Sequence, residues 1–166
     1  MASPYILGLI NALHDLFTAL WIGGLAFMII ILIPVVRKFF EEQEQGEKFL
    51  AIIQKRIKIV AVVSMIGLMA TGIFMSRQAI TKGILAGPFA FGANTYSTLL
   101  AVKHILMILM VVVAITKGAI LDNLKKQSIV VKKMRVILIG VNLLLGIAVL
   151  VLSGITAALA SMPITP

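Results

Sequence analysis

His14 and His104 are the only histidines in the chain, and both lie within long apolar segments. An iron with two axial imidazoles needs two such ligands, whereas a four-coordinate copper or zinc ion needs more strong ligands close together. The pair therefore favours a haem b bound by His14 and His104 over a bare divalent metal. The alternative is a pair of interfacial histidines that hydrogen-bond to the backbone or to each other.

A charged residue stands beside each histidine in the sequence, Asp15 after His14 and Lys103 before His104. Lys103 is a candidate cofactor-binding residue, because a cation near the rim of the site suits a haem propionate. Two other interpretations remain open: Lys103 pairs with Asp15, or both side chains snorkel to water.

The composition of the chain is that of a membrane protein. Of its 166 residues, 61% are hydrophobic and only 13% are charged, and the mean hydropathy is +1.13; soluble domains are about half apolar and about a quarter charged. The absence of cysteine excludes disulfides, zinc–thiolate sites, iron–sulfur ligation and covalent c-type haem. The sequence lacks the interleaved basic and aromatic residues of a single-strand binder, so it does not suggest a nucleic-acid partner.

Four apolar runs predict a single domain over residues 1–166 with four transmembrane helices, at about 5–36, 57–80, 95–121 and 136–162. An open sheet edge is not tolerated in hydrocarbon, so the predicted fold is an all-α integral membrane antiparallel four-helix bundle. Ser3 and Pro4 predict the start of the first helix, and Pro34 is expected to bend its last turn.

The basic residues predict the orientation of these helices. Six of the 15 lysines and arginines lie in the first connector and six in the third, so 12 of 15 are on one side. Basic loops stay in the cytoplasm, which places both termini outside a multi-pass protein of the cell membrane. The remaining three are Arg77, Lys82 and Lys103.

The two histidines are expected at the same depth, near the outer face. Counting back from Arg37 to His14 gives 23 residues, roughly 34 Å of helix, and from Asp122 to His104 gives 18 residues, roughly 27 Å. The first and third helices of such a bundle are diagonal neighbours, roughly 11 to 14 Å apart. That separation suits an iron between two imidazoles.

Other candidate cofactor-binding residues share faces with the histidines. Asn11 and Trp21 recur with His14 at helical spacing on the first helix, and Thr71 belongs to a stripe of small and hydroxyl residues on the second. Small residues on the second and fourth helices leave room for a flat group. Ordinary packing of transmembrane helices is the alternative explanation of these stripes.

Methionines offer a second metal chemistry. Their thioethers suit Cu(I), although methionine is also an ordinary apolar filler. The candidates for a copper path are Met65, Met69, Met75, Met107 and Met110.

Three segments resemble a known family. The run from Leu13 to Pro34 resembles the first helix of the copper resistance protein D (CopD) superfamily, in which a histidine precedes a Trp-x-Gly-Gly motif by seven residues; the matching positions are His14, Trp21, Gly23 and Gly24. A later arginine-led helix ending in Thr-Gly is matched by Arg56, Thr71 and Gly72, and a tyrosine followed by a lysine by Tyr96 and Lys103.

The same pattern occurs in the related HemJ-type protoporphyrinogen oxidases, and the resemblance implies haem binding through His14. The chain departs from the family in two respects: it is much shorter than the multi-span copper proteins, and His104 directly after the lysine is not general. The short length weakens copper import, and the added histidine strengthens a bis-histidine haem.

The sequence as a whole predicts a membrane b-type haem protein that passes single electrons near the outer face. The alternatives are a copper transport or resistance protein, a HemJ-like protoporphyrinogen oxidase in which Lys103 engages a substrate carboxylate, and a structural subunit. Whether the chain is an oxidoreductase or an electron carrier stays open. The expected partners are the lipid bilayer, a redox protein or quinone, and a second copy of the chain in a homodimer.

Overall fold

The computed structural model describes residues 3–40, 42–81, 83, 86–87, 89–121 and 129–161. Over these ranges the backbone forms helices and turns with no strand, which confirms the predicted all-α class. There are five α-helices, and a π-helical turn follows α1 and another follows α4. The α-helices are α1 (Pro4–Ala26), α2 (Ile33–Phe39), α3 (Gln43–Thr81), α4 (Thr95–Ile115) and α5 (Ile129–Ser161), and the π-helical turns are Phe27–Leu32 and Thr116–Leu121.

Four helical stretches are long and apolar enough to cross a membrane, as predicted. They are Pro4–Phe39, Glu44–Thr81, Thr95–Gly118 and Lys133–Ala160. A bilayer core needs about 20 helical residues, so the first two stretches, of 36 and 38 residues, exceed it by a wide margin. Met162, the predicted end of the fourth span, and the basic residues Lys82, Lys125 and Lys126 lie outside the described residues.

The first helical stretch is continuous but changes its hydrogen bonding halfway. α1 begins at Pro4, where a missing N–H costs nothing. Further along, the N–H of Ile33 bonds to the carbonyl of Met28, five residues back, and closes the π-helical turn. Pro34 has no N–H to continue an α-helical pattern, so the wide turn directly before it takes up the interruption.

The charged connector after the first span is divided between two helices. Arg37 and Lys38 lie in the last turn of α2, and α3, with 39 residues, takes in the rest from Gln43 together with the predicted second span. Its first turns carry an exposed ion pair between Glu44 and Lys48, with N···O 2.7 Å, at the four-residue spacing that supports exposed helices.

The chain divides into two compact units, Met1–Met75 and Ser76–Pro166. In the first unit α1 and α2 run antiparallel to α3. A Cβ at Gly46 would lie 3.1 Å from Val36 and one at Gly24 would lie 3.8 Å from Ile57, and further along His14 bonds to Thr71. The two residue numbers of each contacting pair have nearly the same sum. This is the pattern of two antiparallel arms, so the helices form one straight hairpin.

In the second unit α4 and α5 pack against each other, and a loop precedes α4. Asn94 caps α4, with its Oδ1 accepting from the N–H of Ser97 at 2.6 Å. The fully buried Ser97 Oγ accepts in turn from the N–H of Ala86, and Thr98 Oγ1 accepts from the N–H of Gly92. Gly92 has φ 78°, which glycine adopts without strain.

Gly67 is the point of closest approach between the arms of the first hairpin, because a Cβ there would overlap the ring of Phe17. We expect Gly67→Ala to lower the unfolding free energy by about 1–3 kcal/mol, the cost of overpacking, as measured by unfolding in mixed detergent. Phe17→Leu combined with Gly67→Ala should restore most of the lost unfolding free energy. The control is Gly154→Ala on α5, whose added Cβ meets nothing within 4 Å; an equal loss there would contradict the steric explanation.

Candidate functional site

His14 and Thr71 are brought together by the first hairpin. The Nδ1 atom of the half-buried imidazole lies 2.8 Å from Thr71 Oγ1 across 57 residues of sequence, and Thr71 is buried. Each is held within its own helix as well. Thr18 Oγ1 donates to the carbonyl of His14 at 2.8 Å, and Thr71 Oγ1 donates to the carbonyl of Gly67 at 2.7 Å.

The single proton of the Thr71 hydroxyl determines which nitrogen of His14 carries hydrogen. The carbonyl oxygen of Gly67 can only accept, so the 2.7 Å contact is a hydrogen bond only if Thr71 donates it. Thr71 Oγ1 must then accept from His14, and the donor is Nδ1–H. If Thr71 instead donated to His14, two acceptor oxygens would face each other at 2.7 Å. In a neutral imidazole that carries its hydrogen on Nδ1, the lone pair is on Nε2.

Gly72 of α3 lies beside the imidazole of His14. A Cβ at Gly72 would stand 3.9 Å from Cε1 of His14, the ring carbon between the two nitrogens. A larger side chain at this position would press on this edge of the ring. The Thr71-Gly72 pair of the sequence motif thus supplies a hydrogen-bond acceptor for Nδ1 and a residue without a side chain beside the ring.

Trp21 and Asn11, the other candidates on α1, lie in different surroundings. Trp21 is buried, with 4% of its surface exposed, and it lines an apolar cleft between α1 and α3. Asn11 is exposed. The structure therefore groups Thr71 with His14 and places Trp21 two turns farther along the hairpin.

His104 and Lys103 lie on α4 in the second unit, and both are half-buried. The ring of Phe89, from the loop before α4, contacts the imidazole with centroids 5.8 Å apart and planes tilted by 57°. Nδ1 of His104 is buried. The preceding loop thus covers one side of this histidine.

Several features of the site could not be found from the sequence motifs. The ring of Phe17 packs where the two arms approach closely, and the carbonyl of Gly67 accepts the proton of Thr71. Phe89 covers His104. The spacing of these residues in the sequence did not indicate the contacts. Two polar residues of the predicted stripes, Ser64 and Asn142, are buried, and their side-chain oxygens make no hydrogen bond to any residue that the structure describes.

The described ranges contain no group of three or more histidine, cysteine, aspartate or glutamate side chains that could hold a metal ion. A preformed cluster for a bare metal ion is therefore absent from this part of the chain. The methionines on α3 vary in burial: Met65 is half-buried, whereas Met69 is 67% exposed.

Removal of the Thr71 hydroxyl should change the tautomer of His14. We expect long-range ¹H–¹⁵N correlation spectra of histidine-labelled protein to give an Nδ1–H pattern for His14 in the natural chain and in Thr71→Ser. Thr71→Val, which keeps the shape and loses the acceptor, should shift it towards Nε2–H. With only two histidines, His104→Ala assigns the signals.

The matched control is Thr156→Val on α5. Thr156 is also buried and also donates to a carbonyl four residues back, that of Leu152, at 2.9 Å. Its removal should leave the His14 signals in place. An Nε2–H pattern in the natural chain would contradict the assignment of the proton.

Comparison with known proteins gives no relative. No protein-family model, no curated protein and no solved structure matches the chain. The resemblance to the CopD superfamily therefore stays a prediction that rests on the motif residues, chiefly His14, Trp21 and Thr71.

Proposed function

We propose that the chain is an integral membrane b-type haem protein, with His14 and His104 as the two axial ligands, which passes single electrons near the outer face of the membrane. The observation that carries the proposal is the hydrogen bond between His14 Nδ1 and Thr71 Oγ1. Histidines that bind a metal almost always donate the other ring N–H to an oxygen, which fixes the tautomer and raises the basicity of the ligating nitrogen.

The residues around His14 fit this role. The donor is Nδ1–H, so Nε2 is the nitrogen that would bind iron, and Gly72 places no side chain against the ring. A haem held by His14 and His104 would supply one-electron exchange and not substrate chemistry at the iron.

The depth of the site follows from the charges on α3. Between Lys58 and Arg77 this helix has 18 uncharged residues, about 27 Å, which matches a hydrocarbon core of about 30 Å. Thr71 lies 13 residues, about 20 Å, from Lys58. With the basic connectors in the cytoplasm and both termini outside, as the basic residues favour, His14 and Thr71 lie in the outer half of the core.

His104 is the second proposed ligand because it is the only other imidazole in the chain. It precedes Lys117 by 13 residues, about 20 Å of helix, so within its own unit it also lies well away from the basic end of its span. Lys103, one residue earlier, is the proposed partner of a haem propionate.

The test is the visible spectrum of the protein expressed with ample haem and purified in detergent. We expect a sharp α band on reduction, typical of bis-imidazole ligation. Thr71→Val removes only the hydrogen-bond partner of a ligand and should weaken haem binding by about 10- to 100-fold. His14→Ala and His104→Ala remove the ligands themselves and should each weaken haem binding by at least as much.

The control variant is Met65→Leu with Met69→Leu on α3, which leaves both histidines unchanged. It should keep the natural spectrum. A colourless natural protein would overturn the proposal. Copper in that colourless protein, lost in the double methionine variant, would support a copper-transport protein instead, and turnover of a porphyrinogen would support the HemJ-like enzyme.

A further inference from the structure

An apolar cleft of about 360 Å³ lies between α1 and α3 of the first unit. Its walls include Leu20 and Gly24 from α1, Phe27 from the π-helical turn that follows α1, and Ile57, Val60 and Ala61 from α3. Gly24 and Ala61 form part of the depression because they have little or no side chain. The volume is at the lower end of the range for ligand pockets, which is about 300 to 1,000 Å³.

Cations surround α3 at the level of this cleft. Lys55, Arg56 and Lys58 are all exposed and point in different directions around the helix, since neighbouring positions are about 100° apart. Arg56 lies three residues after Ile53 and four before Val60, two residues that line the cleft, so it borders the same face.

These charges mark where α3 leaves the membrane. Three cations around one helix cannot all avoid hydrocarbon, so this level belongs to the headgroup region. Gly24 lies opposite Ile57, with 3.8 Å between an added Cβ and Cγ2, so the part of α1 that lines the cleft is level with these cations. The cleft is therefore apolar along its length and cationic at its edge, at the height where lipid headgroups lie.

We propose that this cleft binds one acyl chain of an anionic phospholipid, with the phosphate of that lipid at Arg56. The inference does not depend on haem binding. An acyl chain gains little by moving from bilayer to cleft, because both are apolar. The selectivity therefore comes from charge, and each basic residue near the surface gives about a fivefold preference for an anionic lipid.

The lining residues favour a lipid over other occupants. Trp21 Nε1–H is the only polar side-chain group among them, so a quinone headgroup would find few hydrogen-bond partners in the cleft. The apolar face of a second copy of this chain carries no charge that would account for the position of Arg56.

Trp21 is the only tryptophan of the chain, and it lines the cleft, so its fluorescence reports on the occupant. The experiment compares quenching by phosphatidylglycerol and by phosphatidylcholine with brominated acyl chains, each relative to its unbrominated form in the same preparation. We expect the anionic lipid to quench more at equal mole fraction. Arg56→Gln should reduce this preference about fivefold.

Two matched controls lie on the same helix. Arg77→Gln removes an exposed arginine at the far end of α3 and should keep the preference. Ala61→Phe fills the cleft and should reduce quenching by both lipids, whereas Ala70→Phe, at an exposed alanine outside it, should not.

Four outcomes would overturn the proposal. They are equal quenching by the two lipids, equal loss of preference in Arg56→Gln and Arg77→Gln, loss of the difference between brominated and unbrominated lipid when a short-chain quinone is added, and loss of that difference for both lipids in a preparation that sediments as a dimer. Bound haem absorbs where tryptophan emits, so the quenching is measured on protein expressed without added haem. Failure here leaves the proposed function standing, and loss of haem leaves this proposal standing.

Discussion

A threonine hydroxyl carries one proton, and the arrangement of the first unit depends on where Thr71 places it. In a helix surrounded by lipid, no water is present to accept this proton. The Thr71 hydroxyl therefore donates it to the backbone carbonyl four residues back. The oxygen can then only accept, and His14 is the group that donates to it. One local hydrogen bond thereby determines the chemistry of an imidazole that is 57 residues away in sequence.

Close packing makes that bond geometrically available. Gly67 supplies the carbonyl that takes the Thr71 proton, and its missing side chain lets the Phe17 ring lie against α3. Helices in membranes pack through such small residues, because there is no hydrophobic gain from leaving lipid. The same glycine therefore serves both the approach of the arms and the direction of the hydrogen bond, and the two cannot be changed independently.

The all-helical fold and the four stretches that are long and apolar enough to cross a membrane could be predicted from the sequence, because apolar runs of this length have few other structures open to them in a bilayer. The pairing of His14 with Thr71 could not, since it depends on the register of two helices, and helical spacing within one segment carries no information about that register. From Gln43 the charged connector is helical and continuous with the second span, because lysines and glutamates are good helix formers and their charges limit only the lipid-covered part of α3. The contact of Phe89 with His104 was also beyond prediction, since it depends on how the preceding loop folds over α4.

The π-helical turn at Phe27–Leu32 has a consequence for the phase of the first helical stretch. A turn closed by a five-residue hydrogen bond holds one residue more than an α-helical turn, and one residue corresponds to about 100° of rotation. The faces of α1 and α2 are therefore out of step by that angle relative to an uninterrupted helix. Val36 meets Gly46 and His14 meets Thr71, so both ends of the stretch contact the partner arm across this interruption. The irregular turn thus adjusts the rotational phase between the two ends of one long hairpin.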